Sequence, residues 1–293
     1  MDQAAADRPD IVCLPETFGK EGVAGATAAS VAEPVPGPTT EMAMERARRY
    51  GTYVICPLIE RRGEVLYNSA VVIDRQGQIA GTYEKLHPVT TTADFTAFED
   101  GITPGREPKV FDLDFGRIGI LICFDIQWAR EWARLGEMGA EVVFWPSAYD
   151  GGFPLQARAW DHHYWVVSSV QTQKSRIVDI TGEVLLVAGA RTPVIGMEID
   201  LEKRYFHTDF NASQTAAIKA KYGREVTVRL YHDEGGMTVE CHREGLTVEA
   251  LMAEFDLELV PDYVARHDLA EVATRAGRRP DPQPPRRVRG QWV

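Results

Sequence analysis

Short apolar runs of strand length, separated by polar turns and helical stretches, fill the first 216 residues of the chain. The polar, glycine-bearing connections ERRGE and DRQG join three of these runs, a pattern typical of antiparallel hairpins. Strands are expected at 11–14, 53–59, 65–73, 78–84, 110–113, 117–123, 141–145, 165–170, 177–180, 184–187 and 194–199, and helices at 42–50, 128–138 and 155–163. This alternation predicts a domain over residues 1–216 with a mixed sheet arrangement covered by helices.

Residues 217–293 form a C-terminal extension with a different pattern. A hairpin over 225–241 and helices over 246–255 and 261–276 are expected there. The last stretch, RRPDPQPPRRVRGQWV, is rich in Pro and Arg, which favours a flexible tail over a strap between subunits.

Composition and charge exclude several classes of protein. The 293 residues carry a formal charge of −11, with 44% hydrophobic and 26% charged residues, the balance of a globular chain. The acidic surplus disfavours nucleic-acid binding, which needs basic surface. No run approaches the roughly 20 apolar residues of a membrane helix, and the start, MDQAAADRPD, lacks the features of a secretory signal. A cytoplasmic protein with no nucleic-acid or membrane partner is therefore expected.

The four cysteines do not suggest a cross-linked or zinc-bound protein. They are too few for a disulfide framework, and none shows CxxC spacing, so no metal is expected. Cys123, in GILICFD, follows an apolar strand and precedes a helix, whose N-terminus favours a thiolate. An inert buried cysteine is the alternative, because cysteine is among the most commonly buried residues.

Two other strand ends carry groups suited to catalysis. Glu16 follows IVCLP, where a partly desolvated carboxylate can act as a general base. Lys85 ends QIAGTYEK, where an ammonium can stabilise an oxyanion. Taken singly, each is more simply explained as a solvated surface side chain. The order Glu, Lys, Cys, each at the end of a predicted strand, favours one shared site.

This order resembles that of the nitrilase, or carbon–nitrogen hydrolase, superfamily. The matching segments are DIVCLPETF, YEKLHP and GRIGILICFD around the three residues, with FTAFEDGITPG carrying a second glutamate, Glu99. Downstream, GAEVVFWPSAYDGG, ARAWDHHYWVVSS and SRIVDITGEVLL follow the running order of the family. The resemblance covers about residues 8–210.

The resemblance implies an α/β fold, a four-layer α-β-β-α sandwich, and a Glu-Lys-Cys triad. Glu16 would take the thiol proton of Cys123, which would attack an amide or nitrile carbon and form a covalent intermediate. Lys85 and the backbone N–H of Phe124 would stabilise the oxyanion, and Glu99 would orient Lys85 or the substrate. The family's mechanism uses no cofactor or metal, and its members commonly form homodimers or higher homo-oligomers.

Other side chains are expected around this site. His87 is placed beside Lys85, and Trp145, Ser147 and Tyr149, in GAEVVFWPSAYDGG, are expected to border the substrate pocket. For Trp160 the sequence supports a place beside the pocket and packing in the core equally.

Two competing sites are disfavoured. A papain-like pair of Cys123 with His87, His162 or His163 lacks the expected sequence around the cysteine. The run Asp161-His162-His163 resembles a metal cluster, but adjacent residues on a helix point in different directions, which favours a packed helix.

Two features depart from the superfamily pattern. Only ten residues precede Ile11, so the family's first strand has no counterpart. Either the chain starts downstream of its natural start, or the C-terminal hairpin fills the gap. Many relatives also place Pro-Glu at the sixth and seventh positions after the cysteine, where this chain has Ala129 and Arg130, with Glu131 one place later.

These observations rank the expected functions. The Trp-Glu that follows the cysteine in true nitrilases is absent, which favours a small linear amide as the substrate and an N-carbamoyl compound next. Nitrile hydrolysis follows these two. A catalytically silent scaffold is the alternative from another class, because the first strand is missing.

Overall fold

The computed structural model describes residues 1–20 and 22–282, together with the backbone of 287–288 and 291–292. The chain divides into two compact units, Met1–Glu198 and Ile199–Val293. This division lies before residue 216, because a strand at 204–207 pairs within the second unit. The end of the predicted first domain at residue 216 stays a prediction. The Pro/Arg-rich tail predicted over 278–293 falls largely outside the described residues.

The first unit contains a four-stranded sheet and two helices that precede its second strand. The strands are β1 (Ile11–Cys13), β2 (Tyr53–Arg62), β3 (Val65–Ile73) and β4 (Ile79–Glu84), and the helices are α1 (Ala28–Val31) and α2 (Pro38–Tyr50). β1 is parallel to β2, and β2-β3 and β3-β4 are antiparallel hairpins, as their polar connections predict. The small side chains of Ala43 and Ala47 let α2 pack closely on Val54, Cys56 and Val71.

A six-stranded sheet completes the first unit. Its strands and crossover helices are β5 (Lys109–Leu113), β6 (Gly116–Ile120), α3 (Ala129–Glu137), β7 (Val142–Ser147), α4 (Phe153–His162), β8 (Trp165–Val170), β9 (Arg176–Val178) and β10 (Val184–Val187). The spatial order is β10-β9-β8-β7-β6-β5, with β6, β7 and β8 parallel. Every residue of β7 is buried, as expected for a central parallel strand covered on both faces.

The two sheets of the first unit face each other. The hydroxyl of Ser169 on β8 donates to the carbonyl of Cys13 on β1 at 2.9 Å, and Tyr83 on β4 donates to Asp125 at 2.7 Å. With α2 packed on one sheet and α3 and α4 on the crossovers of the other, this is the four-layer α-β-β-α sandwich predicted from the sequence.

The closing strand predicted at 194–199 is wrong, because this segment is neither helix nor strand. Pro193 lacks a backbone donor and Gly196 interrupts the apolar run, and both weaken a strand. Val194 and Met197 remain 37% and 42% exposed, so little burial favours extended pairing here.

The second unit is built around a three-stranded antiparallel sheet. Its elements are β11 (Arg204–His207), α5 (Thr215–Tyr222), β12 (Val226–Tyr231), β13 (Gly236–Cys241), α6 (Val248–Phe255) and α7 (Val260–Arg275), with short strands β14 (Arg287–Val288) and β15 (Gln291–Trp292) at the end. Phe206, Ile218, Met237 and Leu251 form its core. The predicted hairpin and both helices of the extension are confirmed.

The C-terminal hairpin does not supply the missing first strand. β13 is the central strand of its sheet, between β11 and β12. The sheet that begins with β1 contains β1 to β4 alone among the described residues. The hypothesis that the hairpin fills this gap is therefore wrong. Within the same residues, no helix has both the length and the hydropathy needed to cross a lipid bilayer.

Candidate active site

Glu16 lies just after β1, where the chain leaves the four-stranded sheet, and it is 4% exposed. Its Oε1 accepts hydrogen bonds from Lys85 Nζ and Asn68 Nδ2, both at 2.8 Å. Its Oε2 accepts from the backbone N–H of Ala148 at 2.9 Å. Both oxygens of this buried carboxylate are therefore partnered, which offsets the loss of hydration.

Lys85 follows β4 directly, and its ammonium lies between two carboxylates. Nζ is 2.8 Å from Glu16 Oε1 and 2.5 Å from Glu99 Oε1, and the side chain is 1% exposed. Burial alone lowers the pKa of Lys85, but the negative charges of Glu16, Cys123 as thiolate and Glu99 outweigh it and raise the pKa above its ordinary value. The ammonium is therefore a fixed cation throughout the neutral range.

Cys123 follows β6 at a sharp turn, with a backbone φ of +48°. A non-glycine residue in this left-handed region stores on the order of 1–3 kcal/mol, which the surroundings must hold in place. The indole Nε1 of Trp145, which is fully buried, donates to the carbonyl of Cys123 at 2.9 Å. This hydrogen bond fixes the peptide that follows the thiol.

The thiol of Cys123 is neutral at rest. Burial, and then the charge of Glu16, raise the pKa of Cys123 to about 12, against the opposing effects of Lys85 and of hydrogen bonds from Ser147 and the Ala148 N–H. A 3₁₀ turn over Cys123–Gln127 precedes α3, and burial of the sulfur opposes the thiolate that a helix N-terminus favours. A base must remove the thiol proton.

The backbone N–H of Ala148 links the acid to the sulfur. It donates to Glu16 Oε2 at 2.9 Å and also acts on the Cys123 thiol. Lys85 is bonded to Glu16 and its charge acts on the same thiol. Glu16, Lys85 and Cys123, which are far apart in sequence, therefore meet in one cluster.

Glu99 stands on the far side of Lys85, in the loop between β4 and β5. Its Oε1 also accepts from the backbone N–H of Val89 at 3.0 Å, and its Oε2 accepts from Asn68 Nδ2 at 3.0 Å. Its backbone φ of +40° is again in the left-handed region. Glu99 is thus built into the cluster as a partner of the ammonium.

Asn68 and Asp125 belong to the site and were missed from the sequence. Asn68, 2% exposed on β3, donates through Nδ2 to both Glu16 and Glu99. Asp125, fully buried two residues after Cys123, accepts three hydrogen bonds. The available signal was an amide inside the apolar run VLYNSAVVI and a carboxylate directly after ILICF.

Ser147, the last residue of β7, and Tyr149, which follows that strand, lie near the thiol. Ser147 is fully buried, and its Oγ accepts from the backbone N–H of Tyr149 at 3.0 Å. Tyr149 is 37% exposed and meets the Trp145 ring edge-on at 5.3 Å. Burial, and then the charge of Cys123, raise the pKa of Tyr149 to about 12. The half-buried ring of Phe124 packs against Trp128 at 5.3 Å.

His87 is held by other groups than the ammonium. Its ring stacks on Trp128 at 3.7 Å between centroids, and its Nε2 is 3.5 Å from Glu131 Oε1. Burial lowers the pKa of His87, although Glu131 opposes this shift. Glu131, displaced by one place from the family pattern, is buried and accepts from Arg130 at 2.8 Å.

The run Asp161-His162-His163 behaves as a packed helix end. His162 lies over Tyr164 at 5.4 Å, whereas His163 Nδ1 is 3.1 Å from the carbonyl of Ile180. The two rings therefore point to different neighbours. In the part of the chain that the structure describes, no group of three or more His, Cys, Asp or Glu side chains is arranged to hold a metal ion.

Comparison with known proteins assigns the chain to a class of enzyme. The family model for carbon-nitrogen hydrolases matches residues 1–205. The chain belongs to this family, and the predicted nitrilase superfamily membership is confirmed. A carbon–nitrogen hydrolase of the amidase type is the enzyme class that the family and its relatives support.

Curated relatives carry several reaction names. A nitrilase of Pyrococcus abyssi is 31% identical over 209 residues, which cover 69% of this chain and 77% of that protein. The omega-amidase NIT2 of Danio rerio is 27% identical over 69% of this chain and 80% of that protein. A beta-ureidopropionase of Arabidopsis thaliana is 37% identical over 135 residues, which span only 33% of its length and 43% of this chain.

Solved structures share the fold. Nit3 of Saccharomyces cerevisiae, from the nitrilase superfamily, superposes with a TM-score of 0.54 at 19% identity, covering 64% of this chain and 76% of that one. An amidase from Nesterenkonia sp. gives a TM-score of 0.55 at 21% identity, covering 64% and 78%. The sandwich predicted from the sequence is thus confirmed at the level of fold.

Proposed function

We propose that this chain hydrolyses the carbon–nitrogen bond of a small linear amide through a thioester on Cys123. The observation that carries the proposal is the ammonium of Lys85, held 2.8 Å from Glu16 and 2.5 Å from Glu99 in a buried cluster that also acts on the thiol. A neutral nucleophile, a nearby carboxylate base and a fixed cation are the groups that acyl transfer requires.

Glu16 begins the reaction by accepting the proton of the Cys123 thiol as sulfur attacks the amide carbon. The carbonyl π electrons move to oxygen, and the ammonium of Lys85 and the backbone N–H of Phe124 stabilise the negative charge that develops there. Glu16 then returns the proton to the leaving nitrogen. The C–N bond breaks, ammonia or an amine departs, and a thioester remains.

Water completes the cycle. Glu16 accepts a proton from water, the hydroxide attacks the thioester carbon, and the same oxyanion donors stabilise the second tetrahedral intermediate. The C–S bond breaks, sulfur regains a proton, and a carboxylic acid leaves. Because burial keeps the thiol neutral until substrate binds, negative charge forms only where Lys85 can stabilise it.

The reactions named for the relatives support three candidate substrate classes. Omega-amidases favour an amide substrate, and the partial match to a beta-ureidopropionase keeps N-carbamoyl compounds as the second candidate. The similarity to a nitrilase keeps nitriles third, although Phe124-Asp125 follows the cysteine here instead of Trp-Glu. A silent scaffold is the alternative outside enzymes.

A panel of small amides, ureido acids and nitriles tests the proposal. Ammonia release is measured together with the intact mass of the protein, and the Cys123→Ala variant is the control. We expect ammonia from at least one amide, an acyl adduct on Cys123, and a rate at least about 10⁴-fold lower in the variant. Full turnover by Cys123→Ala contradicts the mechanism, and no turnover or adduct with any substrate favours a scaffold.

Assembly and location stay predictions. We expect a homodimer or a higher homo-oligomer in the cytoplasm, with the C-terminal extension reaching a second subunit. Size-exclusion chromatography with light scattering checks this, and a monomer at micromolar concentration contradicts it.

A further inference from the structure

Asp125 is a buried carboxylate that the proposed chemistry does not use. It is fully buried, and each of its oxygens accepts at least one hydrogen bond. Oδ2 accepts from the Tyr83 hydroxyl at 2.7 Å and from the backbone N–H of Ile122 at 2.9 Å. Oδ1 accepts from the backbone N–H of His87 at 2.8 Å.

The three donors lie beside two reacting side chains. Ile122 immediately precedes Cys123, and Tyr83 and His87 stand two residues before and two residues after Lys85. Tyr83 is on β4 of one sheet, whereas Ile122 follows β6 of the other. Asp125 is thus a side chain that is hydrogen bonded to both segments.

We propose that Asp125 is a positioning residue that holds the strained Cys123 turn in register with Lys85, so that sulfur and ammonium face the same carbonyl carbon. The inference rests on the proposed function, because it concerns how Cys123 and Lys85 are aligned in that same site. Reacting groups must be held within a fraction of an ångström of the productive geometry, and a shift of 1 Å costs about 10²-fold in rate.

The left-handed backbone conformation at Cys123 needs neighbouring hydrogen bonds to keep the turn in place. At a φ of +48°, the turn relaxes unless its neighbours fix it. Trp145 fixes the carbonyl side of Cys123, and Asp125 fixes the N–H on the preceding residue. Burial raises the pKa of Asp125 to about 6, whereas the hydrogen bonds from Ile122, Tyr83 and His87 favour the carboxylate that accepts from all three donors.

Asp125→Asn is the direct test of this role. Asparagine keeps the shape, but its amide N–H faces the N–H of either Ile122 or His87, so one of the two segments is released. We expect kcat to fall by about 10²-fold while KM changes by less than about threefold. A kcat within about threefold of the unmodified protein overturns the proposal.

Tyr83→Phe and Tyr164→Phe give a matched pair that keeps the test valid if Asp125→Asn does not fold. Both remove one buried hydroxyl, but Tyr164 donates to the carbonyl of Trp132 at 3.2 Å and does not touch Asp125. We expect Tyr83→Phe to lower kcat by about tenfold and Tyr164→Phe to leave it unchanged, at similar losses of thermal stability. Equal kcat values for the two variants overturn the proposal.

Alkylation of Cys123 by iodoacetamide separates this inference from the proposed function. The rate, followed by intact mass, does not depend on any amide being a substrate. We expect Tyr83→Phe to lower it by at least about threefold relative to Tyr164→Phe, because sulfur moves away from the base Glu16. If Tyr83→Phe lowers the alkylation rate but the unmodified protein turns over no amide, the positioning role is supported and the proposed substrate class is rejected. An unchanged rate in an active enzyme rejects the positioning role alone.

Discussion

The two sheets of the first unit contribute different kinds of group to the site. The four-stranded sheet and its following loop carry the ionic half, with Glu16, Asn68, Lys85 and Glu99 hydrogen bonded to one another. The six-stranded sheet carries a neutral half, in which Cys123 is a buried thiol. The charged half is already assembled by its hydrogen bonds, whereas in the proposed mechanism the neutral half gains charge only during the reaction.

This difference explains how a buried ion cluster can serve catalysis. The buried charges of Glu16 and Lys85 and the partly exposed charge of Glu99 are tolerated because each is paired, and Asn68 contributes a further donor to both carboxylates. The same pairing keeps Lys85 protonated, so stabilisation of an oxyanion needs no reorganisation at the moment of reaction. Variants that alter only one of the two halves test whether the halves differ in this way.

Lys85→Met removes the cation and has the largest expected effect. Glu16 and Glu99 then face each other without a counter-charge, so we expect a loss of about 3 kcal/mol in the free energy of unfolding. Without the oxyanion partner, kcat/KM falls by about 10²–10³-fold. Urea unfolding and ammonia release measure the two effects.

Lys109→Met is the matched control for the loss of a lysine. Lys109 on β5 of the six-stranded sheet pairs with Glu84 on β4 of the four-stranded sheet at 2.7 Å and is 35% exposed. A partly exposed pair of this kind contributes about 1 kcal/mol, so we expect a small change in stability and retained activity. Similar activities for the two variants would show that Lys85 is a structural cation only.

Asn68→Asp tests the donor that both carboxylates share. The change replaces an N–H donor by a third negative charge beside Glu16 and Glu99. We expect a loss of about 2–3 kcal/mol in the free energy of unfolding and about a tenfold loss in kcat. Chemical unfolding and steady-state kinetics provide the measurement.

Ser69→Ala is the control for Asn68→Asp, because neighbouring residues on a strand face opposite sides. Ser69 donates to Glu60 at 2.7 Å, away from the catalytic carboxylates. We expect a stability loss of about 1 kcal/mol with kcat unchanged. If Asn68→Asp also retains full kcat, the shared donor is not needed for the geometry of the site.

Sequence patterns predicted the parts of the site that stand at strand ends. Apolar runs locate buried strands, and the first polar side chain after such a run is placed at the edge of a sheet. This is why Glu16, Lys85 and Cys123 were selected as candidates and why a mixed sheet arrangement covered by helices was expected, whereas the four-layer sandwich came from the family resemblance. The family resemblance added Glu99, which lies in a loop without periodicity.

The remaining parts depend on tertiary contacts that periodicity does not encode. Asn68 occupies a position within an apolar strand, and only the approach of Glu16 and Glu99 gives it a role. The burial that opposes ionisation of Cys123 likewise depends on tertiary packing, which the local sequence around the cysteine does not reveal. The strand at 194–199 was wrong because an apolar run without burial does not pair.

Glu84→Gln compares two adjacent charged residues, Glu84 and Lys85, and has the smallest expected effect on the free energy of unfolding. Glu84 precedes Lys85 but pairs outward, with Lys109 and Arg62, both at 2.7 Å. Burial alone raises the pKa of Glu84, but hydrogen bonds from Lys109 and Arg62 hold it below its ordinary value. Removing this charge should therefore weaken folding at neutral pH and leave the ionic half of the site intact.

The direction of the pH dependence follows from the lowered pKa. A carboxyl whose folded pKa is lower than its unfolded value of 4.5 stabilises the fold above that value and loses its contribution as pH falls through the folded pKa. Glu84→Gln should thus cost about 1 kcal/mol at pH 7 and progressively less in acid, with kcat unchanged. Urea unfolding across this range, beside Glu64→Gln in the exposed turn after β2, measures the difference. A loss that stays constant into acid would mean that Glu84 contributes through packing, not through its charge.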